Sequence, residues 1–285
     1  MEHTSLLERV LRGAALTLVV IFFMFPIVWI FMMSFQTNET ILRIPPQLIF
    51  KPTMANYTAL ITGKLTTAAG TLDIAFMRNL WNSVFLSVTS VAVALLLGVP
   101  AAYAFARHKF RGSEDIAFTL LSFRFAPALL VLLPLTLYFQ KLGLANTYIG
   151  LIWVYQLICL PLILWIVRGY FEDIPADIEY AYRIAGHSWF ATFRKIALPL
   201  AGPGIAAAGL LAFIFAWNNF IFALVLASAD KQPVTVGALA FITSSGIQYG
   251  QISAAIVLSI TPTLALALYA QRYLVEGLSL GAVKG

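Results

Sequence analysis

Apolar residues run through this chain in blocks far longer than a globular helix or strand requires. No charge interrupts Gly13–Asn38, and four further uncharged stretches lie between Arg78 and Arg107, Lys141 and Arg168, Lys195 and Asp230, and Lys231 and Arg272. A sixth block, from Ile116 to Phe139, is equally apolar apart from Arg124. About twenty apolar residues cross a bilayer as a helix, so the pattern predicts six transmembrane helices, at 14–35, 80–105, 116–139, 147–168, 204–227 and 251–271. Arg9 and Arg12 give the first span the positive flank of a secretory signal. Its apolar run exceeds the roughly 7–15 residues of a signal core and no small-x-small site follows, so it reads as a retained helix.

Composition agrees. Of 285 residues 61% are apolar and 11% charged, with a mean hydropathy of +0.89. The 18 basic and 12 acidic residues make 30 charges, where a soluble chain of this length would carry about 70. The single cysteine, Cys159, makes no internal disulfide. The net charge of +6 is scattered between apolar runs, which points to membrane topology and away from nucleic acid. With the N-terminus inside, eleven Lys and Arg fall in inner segments and six in outer ones, with Arg124 left in a span. Both termini are therefore placed in the cytoplasm.

The connections differ in kind. Residues 36–78, with Pro45, Pro46 and Pro52, read as a long outer loop of extended segments and a short helix. The inner loop, 169–202, is far longer than a link between two helices needs. Asp173 reads as a helix N-cap with Pro175 in the first turn. Ile178, Ala181 or Tyr182, and Ala185 then share a face, and Glu179 and Arg183 stand as an i, i+4 pair. Gly186 ends this helix. Ser188 caps a second one, with Trp189, Phe193, Ile196 and Leu200 on a face, which Pro199 and Pro203 break. Such a helix-turn-helix either rests on lipid headgroups or docks a partner.

The stretch Glu-Tyr-Ala-Tyr-Arg-Ile-Ala-Gly at 179–186, followed by Ile196-Ala-Leu-Pro199 and Pro203, resembles the EAA loop of binding-protein-dependent ABC importer permeases. Gly186, Ile196, Leu198 and Pro199 match its spacing. The motif glutamate falls on Tyr180, with Glu179 one residue early. Ala181 agrees with the motif, whereas Tyr182, Ala185 and His187 replace its alanine, aspartate and small residue. Trp217-Asn218-Asn219-Phe220 is similar to a signature of carbohydrate-type permeases, and the tail Gln271–Gly285 to that of the maltose-type subgroup.

This resemblance implies an all-α membrane protein with six transmembrane helices and a cytoplasmic coupling helix between the fourth and fifth. Residues 1–78 would form an N-terminal helix with a periplasmic loop, and 79–285 the permease core. The expected partners are a homologous second permease, two cytoplasmic ATPase subunits, an external solute-binding protein and membrane lipid, with no nucleic acid. ATP and Mg would sit on the ATPase, and this chain would carry no cofactor or metal. Contact with the ATPase is expected from Glu179, Tyr180, Ala181, Arg183, Gly186, His187, Ser188, Leu198 and Pro199. The solute would be a sugar, polyol or related hydroxylated molecule.

Catalysis in this chain is not expected. It has no Gly-x-x-x-x-Gly-Lys-Ser/Thr phosphate loop, no Gly-x-Ser-x-Gly elbow and no metal-spaced pair among His3, His108 and His187. An ion-coupled secondary transporter is the alternative, but it would place ionisable groups in its spans, where only Arg124 stands. For the solute path, Trp217, Asn218 and Asn219 lead, because mid-span amides must be satisfied by neighbours, water or solute. Interhelical hydrogen bonding is the competing role. Arg124 contacts either a solute or, in a structural pair, backbone carbonyls or a neighbouring subunit. Tyr155, Gln156 and Asn82 are further candidates. Gly202, Gly204 and Gly209 with Ala206–Ala208 suggest close helix approach.

Overall fold

The computed structural model describes residues 6–67, 69–108, 110–125 and 127–281, with the backbone alone for residue 6 and residues 271–281. The resemblance of the tail from Gln271 on thus lies largely outside what can be described. The described part is mostly helical, in two compact units.

One unit comprises the residues up to Met77 with Ala238–Ile260. Helix α1 (Leu6–Met33) is followed by the short α2 (Asn38–Ile41) and α3 (Ala55–Thr62). A hairpin of β1 (Lys64–Thr67) and β2 (Gly70–Asp73) completes the first loop, with Leu65 opposite Leu72. Sequence reading gave this loop only extended segments and a helix. The hairpin escaped it because neither strand alternates clearly between apolar and polar residues. Asn56 ties the loop together, donating to the Ser34 and Gln36 carbonyls at 2.9 and 2.8 Å. The apolar side chains of α1, from Leu7 to Phe31, are exposed along its length.

The other unit comprises Arg78–Gly237 and the chain from Thr261. Helix α4 (Phe76–Arg107) leads to α5 (Ser113–Ser122), a single 3-10 turn (Phe123–Phe125) and α6 (Ala128–Lys141). Helix α7 (Tyr148–Asp173) precedes α8 (Ala176–Ile184), α9 (Trp189–Thr192), a widened π turn (Phe193–Ala197) and α10 (Leu198–Leu200). Then come α11 (Gly202–Trp217), α12 (Ile221–Leu226) and α13 (Val234–Gly237). A second hairpin, β3 (Ile242–Thr243) and β4 (Gly246–Ile247), belongs to the first unit, and α14 (Tyr249–Gly281) closes the chain.

The central seam runs between α7 and α11. On α7, Leu151, Tyr155, Cys159, Ile163, Val167 and Phe171 recur every four residues and are buried. On α11 the matching stripe is Gly204, Ala208, Ala212 and Ala216, also buried and also four apart. Lipid tails are as apolar as leucine, so close van der Waals contact between small and large residues holds such helices together. Gly204 meets the Tyr170 ring, leaving no room for a methyl group, so the close approach expected from the glycines is present there.

Four helices among the described residues are long and apolar enough to cross a membrane: Leu7–Met33, Phe76–Arg107, Tyr148–Asp173 and Tyr249–Ala270. The third and fifth expected spans are not continuous helices. Ser113–Phe125 and Ala128–Lys141 meet at 97°, around Arg124 and Pro127. Pro127 lacks the N–H that would continue the ladder. The chain also bends by 72° between Trp189–Leu200 and Gly202–Trp217, and helix stops again at Asn218–Phe220 between α11 and α12. There the Ile214 carbonyl accepts both the Asn218 side-chain amide at 2.8 Å and the Asn218 backbone N–H at 3.1 Å. The described spans therefore number four, or six when each bent pair is taken as one.

Candidate functional site

The α8–α10 segment is built differently from what its sequence suggests. Helix α7 continues through Asp173, stiffened in its last turns by Arg168, which pairs with Glu172 at 2.7 Å and with Glu114 of α5. Asp173 is consequently inside a helix, and α8 starts after Pro175 without a side-chain cap. The later signals hold. Gly186 stands at φ +91 just beyond the helix with its N–H on the Arg183 carbonyl at 2.9 Å, and the Ser188 hydroxyl accepts from the Ala191 N–H at 3.2 Å.

Glu179 is the main correction. The pair expected with Arg183 does not form. Glu179 is 3% exposed, and its carboxylate points into the unit. One oxygen accepts from Arg107 at 2.8 Å and the other from the Tyr103 hydroxyl at 2.6 Å. Arg107 also donates to the Ile174 carbonyl at 2.9 Å. The physical reason is geometric. Glu179 is on the inward face of α8, beneath the last turns of α4, where a buried guanidinium needs a counter-charge more than an exposed one does. Arg183 instead stacks on Trp189, its guanidinium carbon 3.7 Å from the ring centre. His187 stacks on Tyr182 at 3.9 Å. Tyr103 completes the joint by packing on Phe171 and Phe193 at 5.2 and 4.9 Å.

What this segment leaves outside is mostly apolar: Ile184 is 87% exposed and Phe190 70%, with Tyr180 exposed beside them. Ala181, Gly186, His187, Ser188 and Pro199 are exposed, and Leu198 is half-buried. Sequence reasoning did not find Tyr103 and Arg107 as partners of Glu179, because 72 and more residues separate them and no local pattern joins them.

The second cluster lies at the two helix breaks. A cavity of about 180 Å³ is bounded by Phe123, Arg124, Ala128, Leu157, Asn219 and Phe222, among others. The Arg124 guanidinium lies over the Phe215 ring at 4.1 Å. Asn219 is 8% exposed, and its side-chain oxygen is buried without a hydrogen-bond partner. Its backbone carbonyl accepts from the Thr235 hydroxyl at 2.9 Å. Of the residues expected along a solute path, the structure brings only Arg124 and Asn219 to this cavity.

The others are elsewhere. Trp217 is buried and stacks on Phe213 at 5.6 Å, and Asn218 is bonded back onto its own helix. Gln156 donates to the carbonyls of Ser90 and Ile152 at 3.1 and 2.9 Å. Tyr155 is part of the α7 seam with its hydroxyl unpartnered. Asn82 holds a loop: it donates to the Asp230 and Gln232 carbonyls, both at 3.0 Å, and accepts from the Tyr148 hydroxyl at 2.8 Å. The same loop is fixed by the Val234 N–H on the Ser83 hydroxyl at 2.8 Å. At its tip the Lys231 ammonium, hydrogen-bonded at 2.6 Å, holds the Asp230 carboxyl down at about 2. That charge pair therefore persists until pH falls through this value.

The geometry of Asn82 separates two roles experimentally. Asn82→Ala removes three hydrogen bonds at roughly 1 kcal/mol each. It is expected to lower the thermal unfolding midpoint in detergent by several degrees while the apparent KM for solute stays unchanged. A raised KM at unchanged stability would return Asn82 to the solute path.

Comparison with known proteins adds an independent line. A family model described as a binding-protein-dependent transport system inner membrane component matches residues 94–279. The trehalose/maltose transport system permease protein MalG of Thermococcus litoralis is 33% identical over 283 residues, covering 99% of each chain. The trehalose transport system permease protein SugB of Mycobacterium tuberculosis is 34% identical over 275 residues, 94% of this chain and 95% of that one. Among solved structures, a chain of a bacterial ABC transporter involved in import of the acidic polysaccharide alginate shares the fold. Its TM-score is 0.78 at 24% identity, over 96% of this chain and 99% of the other.

Proposed function

The chain belongs to the family of binding-protein-dependent transport system inner membrane components, and we propose that it forms one half of the solute pathway of a sugar-importing ABC transporter. The observation that carries this is the near full-length match to permeases named for trehalose and maltose. The protein is a multi-pass membrane protein and a permease subunit, and the ion-coupled alternative gains no support from family or fold. In this reading it performs no chemistry, and ATP with Mg is bound and hydrolysed by a separate pair of ATPase subunits.

The finer arrangement is part of the same proposal. Six spans cross the inner membrane, the third and fifth as broken helices, with both termini in the cytoplasm. The α8–α10 segment is the coupling element between the fourth and fifth spans. Its exposed Tyr180, Ile184 and Phe190 would enter a cleft of one ATPase, so the contact is chiefly apolar. Glu179, turned inward, anchors the element to α4 in place of touching the ATPase. ATP-driven closure of the ATPases moves the element, and the Glu179–Arg107 joint carries that movement into α4. A homologous permease would supply the other half of the pathway. Two surfaces support a partner within the membrane: the bare α1, and an apolar groove of about 640 Å³ lined by Val88, Leu95, Gly209 and Leu266. An external binding protein delivers the sugar.

Purification of the chain from its own membranes in mild detergent tests this. Co-elution of an ATPase, a second permease and a solute-binding protein is the expected result. Ion-gradient-driven sugar uptake by the purified chain alone in proteoliposomes would overturn it.

A further inference from the structure

We infer that the loop Leu42–Lys51, just after the first span, is an interfacial anchor. Its aliphatic residues enter the outer leaflet at the headgroup boundary, and Arg43 and Lys51 meet lipid phosphates. This rests on the reading that α1 crosses the membrane with its N-terminus in the cytoplasm.

The sequence places an apolar cluster where a solvated loop is expected. Leu42, Ile44, Pro45, Pro46, Leu48 and Ile49 crowd into residues 42–49. Ile44 and Ile49 are each 96% exposed, and Leu42 and Leu48 are exposed beside them. Aliphatic groups left in water forfeit the gain from burial, and contiguous exposed apolar surface marks a place of contact. The flanking charge has one sign. Arg43 and Lys51 stand near its two ends, both exposed, and no acidic residue occurs between Thr40 and Leu72. Cations beside an apolar face match phosphate oxygens above and acyl chains below.

Hydrogen bonds hold the loop at the depth where that boundary lies. Ala14–Met33, at about 1.5 Å per residue, spans the ~30 Å hydrocarbon core, so the core ends at the last turn of α1. The residues that follow grip the loop. The Phe35 carbonyl accepts from the Thr53 N–H at 2.8 Å, and the Gln36 side-chain amide donates to the Gln47 carbonyl at 3.3 Å. Behind them Ser34 and Tyr57 share a hydrogen bond of 2.8 Å, and the Phe35 and Tyr57 rings pack at 5.2 Å. The loop is therefore pinned within a turn of the end of the span. Its chemistry also favours lipid over a protein partner. Protein interfaces concentrate their energy in Trp, Tyr and Arg at a buried centre. Here the centre is aliphatic and proline-rich with the cations at its edge, which suits a fluid surface that needs no shape complementarity.

The test uses the chain with the subunits that copurify with it, in vesicles of phosphatidylethanolamine and phosphatidylglycerol. Thr66→Cys, exposed on β1, first reports the side of the membrane. A membrane-impermeant thiol reagent added to spheroplasts is expected to reach it; labelling only after the membrane is opened would remove the topology and the anchor together. Gln47→Cys then carries a small fluorophore into the loop. Cys159, the only native cysteine, is buried, which keeps the labelling background low. Lipid with a nitroxide near the top of its acyl chain is expected to quench that fluorophore roughly twofold, and dissolved iodide to quench it little, as the shallow insertion of an apolar face requires. Ile44→Ser with Ile49→Ser should abolish quenching by the lipid. Both side chains are exposed, so the fold does not depend on them. Arg43→Glu with Lys51→Glu, which sets carboxylates against phosphates, should at least halve it. Quenching by iodide and not by lipid, with Thr66→Cys still labelled from outside, would overturn the anchor and leave the topology standing. Shielding from iodide that appears only when a solute-binding protein is added would also overturn it and assign the loop to that protein.

Discussion

Glu179→Ala is expected to reduce sugar uptake to background and to uncouple ATP hydrolysis from transport. The carboxylate is nine-tenths and more buried, and both its oxygens are engaged. Truncating it strands the Arg107 guanidinium, 11% exposed, without a counter-charge, a change worth about 3–5 kcal/mol when one partner of a buried pair is removed. Arg107 keeps its bond to the Ile174 carbonyl, so α4 retains a grip on the end of α7, but α8 itself loses its inward tether. The loss should appear in coupling more than in global folding. Two companion variants make the interpretation specific. Glu179→Gln keeps a hydrogen-bonding group and is expected to retain partial uptake. The double variant Glu179→Ala with Arg107→Ala, which removes the stranded charge, is expected to lose less stability than the single changes added together. Wild-type uptake by Glu179→Ala would refute the tether. Loss of ATPase contact with α8 still protease-resistant would return Glu179 to the partner interface.

The second large effect is expected at Gly150, in the first turn of α7. A methyl group there would land on the backbone carbonyl of Leu144. That carbonyl is held in place, since the Thr147 hydroxyl donates to it at 2.7 Å and accepts the Gly150 N–H at 3.0 Å. Relief requires moving the α6–α7 turn and not merely rotating a side chain. Gly150→Ala should therefore cost at the upper end of the overpacking range, about 3 kcal/mol. Gly143, in the same turn, is the control. It sits at φ +68 with open space where a methyl group would stand, so Gly143→Ala costs only the left-handed conformation, about 1–2 kcal/mol. Thermal unfolding in detergent is expected to rank Gly150→Ala well below Gly143→Ala. The reverse order would mean that the turn yields easily.

The particular residues show what a linear reading can carry. Charge-free runs marked five of the six apolar blocks, and a run broken by Arg124 alone marked the other, because bilayer thickness imposes a similar length on all of them. Gly186 and Ser188 announced their helix boundary, since a left-handed C-terminal residue and a hydroxyl cap act within four residues of themselves. Asp173 misled because its signal is equally local: an acidic residue before Ile-Pro looks like a cap unless the ion pairs of Arg168 are known to prolong the preceding helix. Glu179 misled for the opposite reason. Its helical neighbour Arg183 was visible, whereas Arg107 and Tyr103 arrive only through tertiary packing. The breaks near Pro127 and Asn218 carried visible markers, but a proline or an amide within a span is compatible with a straight helix, a kink or an interruption. That Arg124 and Asn219 face one cavity is a fact of three dimensions alone.

The α7–α11 seam has a consequence for how this protein can change over time. Its buried positions alternate bulk on α7 with the near-absence of side chains at Gly204, Ala208, Ala212 and Ala216. A larger residue on α11 is tolerated only if a facing residue on α7 shrinks, as Gly204 and the Tyr170 ring illustrate. Substitutions at the seam are therefore accessible in compensating pairs, while exposed positions on α7 such as Trp153 and Trp165 are free to drift one at a time. Mutational history should accordingly be written in doublets along this line and in singlets around it.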